Sequence, residues 1–142
     1  MAANAARDPG IEVRVPVASD NDLVSARHQG RVLAEQLGFS ASEATLVATV
    51  ISELARNIVH YARNGEILLR RVDNGDRCGI TVVARDQGPG IGDTRLVLQV
   101  GYSSSGGLGL GLPGVRRIMD EFCIDSGPGC GTTVTVTKWK FR

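Results

Sequence analysis

From Ser40 to about Ala62, apolar side chains return at every third or fourth position: Val47, Val50, Ile51, Leu54 and Ile58. That spacing lines them up along one stripe of an α-helix, and the stripe must be covered by a second apolar layer. Ser40, with Glu43 three residues on, forms a capping box that fixes where the helix starts. Two β-rich runs follow, "EILLRRV" (66–72) and "GITVVAR" (79–85), joined through Asn74-Gly75, a strong hairpin turn. A one-sided helix beside an antiparallel hairpin points to helices packed on one face of a sheet.

The remaining segments fit that plan. "IEVRVPV" (11–17) alternates Ile11, Val13, Val15 and Val17 on one face of a strand, and Pro16 places it at a sheet edge. A helix follows, with Ser19 or Asp20 as its cap, Leu23, Ala26, Leu33, Ala34 and Leu37 on its inner face, and Gly38 as its stop. A short helix is expected within 93–100. Another is expected from near Pro113, carrying Val115, Ile118, Met119 and Phe122, and strands at 122–125 and 132–141 end the chain. Residues 1–10 read as a disordered arm and 11–142 as one domain. The expected fold class is α/β, an α+β two-layer sandwich with a mixed, mostly antiparallel sheet and helices on one face.

Composition narrows the function classes. The net charge of +1 comes without a block of like charges, which argues against sequence-independent nucleic-acid binding. The pairs Arg70-Arg71 and Arg116-Arg117 read as solvated edges of a strand and a helix. Cys78, Cys123 and Cys130 are odd in number and lack CxxC spacing, so reduced, mostly structural thiols are expected. The N-terminus has no apolar core of the signal-peptide kind and no run reaches membrane-spanning length, so a cytoplasmic location is the default expectation.

Several patterns carry possible chemistry. Glu53 and Asn57 lie four residues apart on the second helix, about 40° from one another, on a face bordering the apolar stripe. Glu53 could orient or deprotonate a nucleophile, and the Asn57 side-chain oxygen is a hard ligand suited to Mg²⁺. Alone, the pair also fits an ordinary polar helix face. Asp86 ends a strand and is followed by Gly88 and Gly90; it could accept from an exocyclic amine, or simply belong to a strand-ending turn.

"GGLGLGLPG" (106–114) precedes a helix and could cradle phosphates with backbone N–H groups. Its GxGxxG match fails as a dinucleotide site, because no strand immediately precedes it, and no Walker Gly-Lys-Ser/Thr occurs. Ser103–Ser105 fit a flexible lid or a polar linker. Thr132 could reach Asp86 if their strands are neighbours. His28 and His60 show no ligand spacing, and His60 reads as a partly buried structural residue.

Taken in order, E-x-x-x-N, D-x-G-x-G, a lid-length loop, G-x-G-x-G and G-T resemble the GHKL ATPase/kinase superfamily with its Bergerat ATP-binding fold. "ISELARNIVHYA", "ARDQGPGI", "SSGGLGLGLPGVRRIMDEF" and "GTTVTVTKW" are similar to the RsbT-type serine/threonine kinases of stressosome partner-switching modules. The resemblance covers roughly Ile11 to Lys138. It implies ATP and Mg²⁺ as ligands, with Asn57 on the metal and Glu53 as general base or orienting group. Asp86 would accept from the adenine amine, and Thr132 would support the base through water. Gly88 and Gly90 would floor the base pocket, and Gly107, Gly109 and Gly111 would donate N–H groups to the phosphates. It also implies STAS-domain partners of the RsbS or RsbR kind as substrates, and a downstream effector such as an RsbU-type phosphatase. An anti-sigma-factor kinase and a non-catalytic ATP-dependent binding switch are the alternatives.

Overall fold

A computed structural model describes residues 12–88, 111–127 and 129–141. Strand β1 (Glu12–Val17) leads into helices α1 (Asp20–Gln36) and α2 (Ala41–Tyr61), then the hairpin β2 (Gly65–Asp73) and β3 (Arg77–Asp86). Helix α3 (Gly111–Ile118) and strands β4 (Glu121–Ser126) and β5 (Thr132–Phe141) follow. The five strands form one sheet in the order β1-β2-β3-β5-β4, and all four pairings are antiparallel. β1, the strand with Pro16, is an edge strand as its proline implies.

The helix ends follow local chemistry. Ser19 is the N-cap of α1, its side chain accepting from the Asp22 amide. At the other end the Gly38 and Phe39 amides donate to the Glu35 and Ala34 carbonyls, the paired bonds of a Schellman stop. α2 opens with the expected capping box: the Glu43 amide donates to Ser40 Oγ at 3.1 Å, and the Ser40 amide to Glu43 Oε1 at 3.3 Å. The hairpin turns at Asn74-Gly75, where the Gly75 amide donates to Asp73 Oδ1 and Asn74 exchanges bonds with Arg77.

The core lies between α1, α2 and α3 and one face of the sheet. Val47, Val50, Ile51, Leu54 and Ile58 of α2 are buried there with Val15, Val17, Ile67, Leu69, Ile80, Val82, Ala84, Val134 and Val136 from the strands. The opposite sheet face carries Arg14–Glu66–Arg85 and Arg70–Glu12 ion pairs, which are solvated. Arg116 and Arg117 are exposed.

Several expectations shift. α3 starts at Gly111 rather than near Pro113, which still falls in the first turn, where a missing N–H leaves no helical bond unmade. Met119, expected on that helix, follows its last residue, and Phe122, expected both on the helix and in the strand 122–125, lies in β4 and packs on the core. His60 is exposed rather than partly buried, and only Cys78 of the three free thiols is buried. The arm 1–10, the helix expected within 93–100, Ser103–Ser105, Gly90, Gly107 and Gly109 lie outside the described residues. Among the described residues, no helix is long and apolar enough to cross a membrane.

Candidate functional site

One row of backbone partners runs across the end of the sheet: Val17, Gly65, Asp86, Thr132 and Ser126. Val17 in that row is buried in the core, and side chains of directly paired residues share a face. The row therefore faces the helix layer, where the C-terminal half of α2 lies. Ile58 packs against Gly65, and Ala62 lies against Gly88 so closely that a Cβ on Gly88 would come within 2.6 Å of the Ala62 Cβ.

Asp86 is half-buried, and its Oδ1 accepts the Gly88 amide at 2.9 Å. The strand's last carboxylate is thereby fixed by its own turn. Thr132, directly opposite Asp86 on β5, has its hydroxyl 2.7 Å from Ser126 Oγ, which also bonds the Gly131 carbonyl at 2.9 Å. A serine hydroxyl carries one proton, and a carbonyl can only accept. Ser126 therefore donates to Gly131 and receives from Thr132, whose oxygen lone pairs are left facing the site as an acceptor.

Gly131 holds this corner together. Its φ is +73°, and a Cβ there would sit 2.3 Å from the Asp86 carbonyl oxygen. An L side chain meets both a left-handed backbone cost of ~1–2 kcal/mol and a clash with main chain that cannot swing away. Gly131→Ala should lower stability by about 2 kcal/mol or more and Tm by about 5–10 °C. Thermal melts of the purified variant check this; an unchanged Tm would contradict the close approach.

The second cluster sits on α2. Glu53 is buried to 1% exposure, deeper than the border position that its helical angle suggests. Its Oε1 accepts the Gly111 amide at 3.3 Å, across 58 residues of chain, and so joins α2 to the first residue of α3. Expected to donate to phosphate, the Gly111 N–H here donates to this carboxylate. Gly111 has a φ of +58°, which turns its amide out of the helical direction. The other carboxylate oxygen, Oε2, is buried without a hydrogen-bond partner among the described residues.

Two more polar atoms are orphaned on the same turn: Asn57 Oδ1 and Arg56 Nε. Arg56 Nε lies 4.0 Å from Glu53 Oε2, and its side chain is 25% exposed. Glu53 Oε2 and Arg56 Nε meet only as this long ion pair, and buried polar atoms left without hydrogen bonds, Asn57 Oδ1 among them, are costly unless a ligand meets them. Asn57 Oδ1 is a hard oxygen, and Mg²⁺ commonly takes one or two protein oxygens with the rest from water and phosphate. The donor set fits Mg²⁺ held with phosphates.

The structure thus brings Asp86, Gly88 and Thr132 together at the sheet end and Glu53 and Gly111 together between α2 and α3, with Asn57 one turn further along α2. Sequence reasoning passed over Arg56 and Ser126, and read Gly131 only as the glycine of the G-T pair. Arg56 was legible as a charge inside the E-x-x-x-N motif itself; Ser126 becomes visible only through its strand register.

Comparison with known proteins bears on the family. The Histidine kinase-like ATPase domain family matches residues 17–138. The chain is 47% identical over 125 residues to the serine/threonine-protein kinase RsbT of Bacillus subtilis (strain 168), covering 88% of this chain and 94% of that protein. It is 31% identical over 120 residues to the anti-sigma F factor of Thermoanaerobacter sp. (strain X514), covering 80% and 82%. Among solved structures, the SiaB–SiaC complex from Pseudomonas aeruginosa aligns at a TM-score of 0.57 with 17% identity, over 98% of this chain and 95% of that one, a likeness of fold. The relationship to RsbT supports a protein serine/threonine kinase. With antiparallel sheet, helix layer and motif order all in agreement, the chain belongs to the histidine kinase-like ATPase domain family.

Proposed function

We propose that this chain is an ATP- and Mg²⁺-dependent serine/threonine kinase that phosphorylates STAS-domain partner proteins in the cytoplasm. The observation that carries the reading is the buried pair of orphaned oxygens, Glu53 Oε2 and Asn57 Oδ1, on the helix that overlies Asp86 and Thr132. Oxygens without partners suit a metal and an incoming hydroxyl; a structural helix face has no use for them.

In this reading Asp86 accepts from the adenine amino group, and Thr132 offers its free lone pairs to a water on the base. Gly88 and Gly90 let the ring lie close to the backbone. Gly107 and Gly109 give N–H groups to the phosphates, and Gly111 lies at the same end of α3. Asn57 holds Mg²⁺, which when bound neutralises charge on the phosphates. Glu53 Oε2 takes the proton from a Ser or Thr hydroxyl as that oxygen bonds to the γ-phosphorus. The bond to the β–γ bridging oxygen breaks, and ADP leaves with the electron pair. Protein work here is mostly positioning and charge stabilisation.

The relationship to RsbT is what supports a STAS-domain substrate. Phosphate placed in an uncharged contact weakens it by repulsion and desolvation, so the modified STAS protein would release the kinase. Release would leave it free to engage an effector such as an RsbU-type phosphatase. The similarity to anti-sigma F factors favours a second reading, in which a sigma factor is the held partner, but at 31% against 47% identity it stands behind the first.

The test mixes the protein with Mg-ATP and a STAS-domain protein encoded beside it. Mass spectrometry should find phosphate on a Ser or Thr of the partner, and size-exclusion chromatography should show the complex dissociating. Stable association without phosphate would move the assignment to the binding switch, and phosphorylation of no STAS protein with capture of a sigma factor to the second reading.

A further inference from the structure

The Glu53–Gly111 contact is more than the role of a base requires. A general base needs one oxygen aimed at the hydroxyl; it needs no bond to a helix 58 residues away. Glu53 has both, with Oε1 on the Gly111 amide and Oε2 without a hydrogen bond among the described residues, 4.0 Å from Arg56 Nε. The Glu53 carboxyl group, beside the first amide of this eight-residue helix, also lies at the positive end of its dipole. Gly111 is buried and its φ of +58° presents the N–H to α2.

We infer that Glu53 is also a positioning residue: its Oε1 caps α3 through Gly111 and fixes the start of that helix against α2, while Oε2 is reserved for the acceptor hydroxyl. The two oxygens of one carboxylate thereby hold the phosphate-side helix and the reacting proton in one frame. The division of labour rests on the kinase reading, whereas the cap itself does not. Because the anchor is carried by an oxygen and the proton transfer by a charge, the two duties separate by substitution. Glu53→Gln keeps an oxygen for Gly111 and loses the base; Glu53→Ala loses both.

Backbone amide exchange by NMR on the nucleotide-free protein tests the cap. Gly111 exchange should be about tenfold or more faster in Glu53→Ala than in wild type, because a bond to a charged acceptor is lost. In Glu53→Gln, a weaker acceptor, exchange should rise less and the Gly111 proton resonance should move upfield. Nucleotide affinity should follow the cap, with Glu53→Gln close to wild type and Glu53→Ala several-fold weaker. Wild-type exchange at Gly111 in Glu53→Ala would overturn the inference. Should Glu53→Ala fail to fold, an unmoved Gly111 resonance in Glu53→Gln overturns it alone. A cap that is present with no phosphate transfer by wild type would sink the kinase reading and leave the cap standing.

Discussion

Asn57→Ala should reduce phosphoryl transfer by about 10²–10³-fold, the usual cost of removing one preorganised stabiliser of transition-state charge. Asn57 is half-buried and its Oδ1 has no partner among the described residues, so its removal breaks no recorded protein contact. The variant should fold and melt within about 1 kcal/mol of the parent, since no buried partner is stranded. ATP binding in the absence of Mg²⁺ should be nearly unchanged, while the gain in affinity on adding Mg²⁺ should shrink. Calorimetric titrations with and without the metal, beside single-turnover rates, read both effects. Transfer at the wild-type rate would remove Asn57 from the metal.

Asp86→Asn should weaken ATP binding by about 10–100-fold, the equivalent of a charge-assisted hydrogen bond worth ~1.5–3 kcal/mol. The substitution is informative because it keeps the turn. An asparagine oxygen can still accept the Gly88 amide, so the strand end stays in place. What changes is the outward atom, which becomes an amide donor facing the adenine amine, another donor. The same donor would suit guanine, whose O6 accepts where adenine's N6 donates. Discrimination of ATP over GTP should therefore narrow in Asp86→Asn. Unchanged ATP affinity with unchanged discrimination would place the base elsewhere.

The parts of the fold that local chemistry decides were legible in the chain. Capping at Ser40, the stop at Gly38, the edge position of Pro16 and the turn at Asn74-Gly75 each depend on a few neighbouring residues. The hairpin strands run one or two residues past their apolar runs, to Gly65 and Asp73 and to Arg77 and Asp86, because backbone pairing continues through polar residues. Phe122 shows the limit of periodicity. Its spacing suits α3, but the pull of β5 on Glu121–Ser126 decides.

Site geometry was legible in part. Spacing placed Glu53 and Asn57 on one helix face, and Asp86 and Thr132 came together only once β3 and β5 were known to be neighbours in register. Nothing local could announce the Glu53–Gly111 bond, which spans 58 residues, nor the depth at which Glu53 is buried. Ser126 escaped for the same reason, and so did the close approach of Gly131 to Asp86, because both depend on which strand they adjoin.

The central claim is that the orphaned oxygens of α2 and the Asp86 row form one ATP site that passes phosphate to a protein hydroxyl. The most direct test is a single-turnover reaction of the protein with γ-labelled Mg-ATP and its STAS-domain partner, following where the label goes. Label on a Ser or Thr of the partner, lost in Glu53→Gln and in Asn57→Ala, is the result predicted here. Label that stays on bound ATP, or appears only as inorganic phosphate, would contradict it.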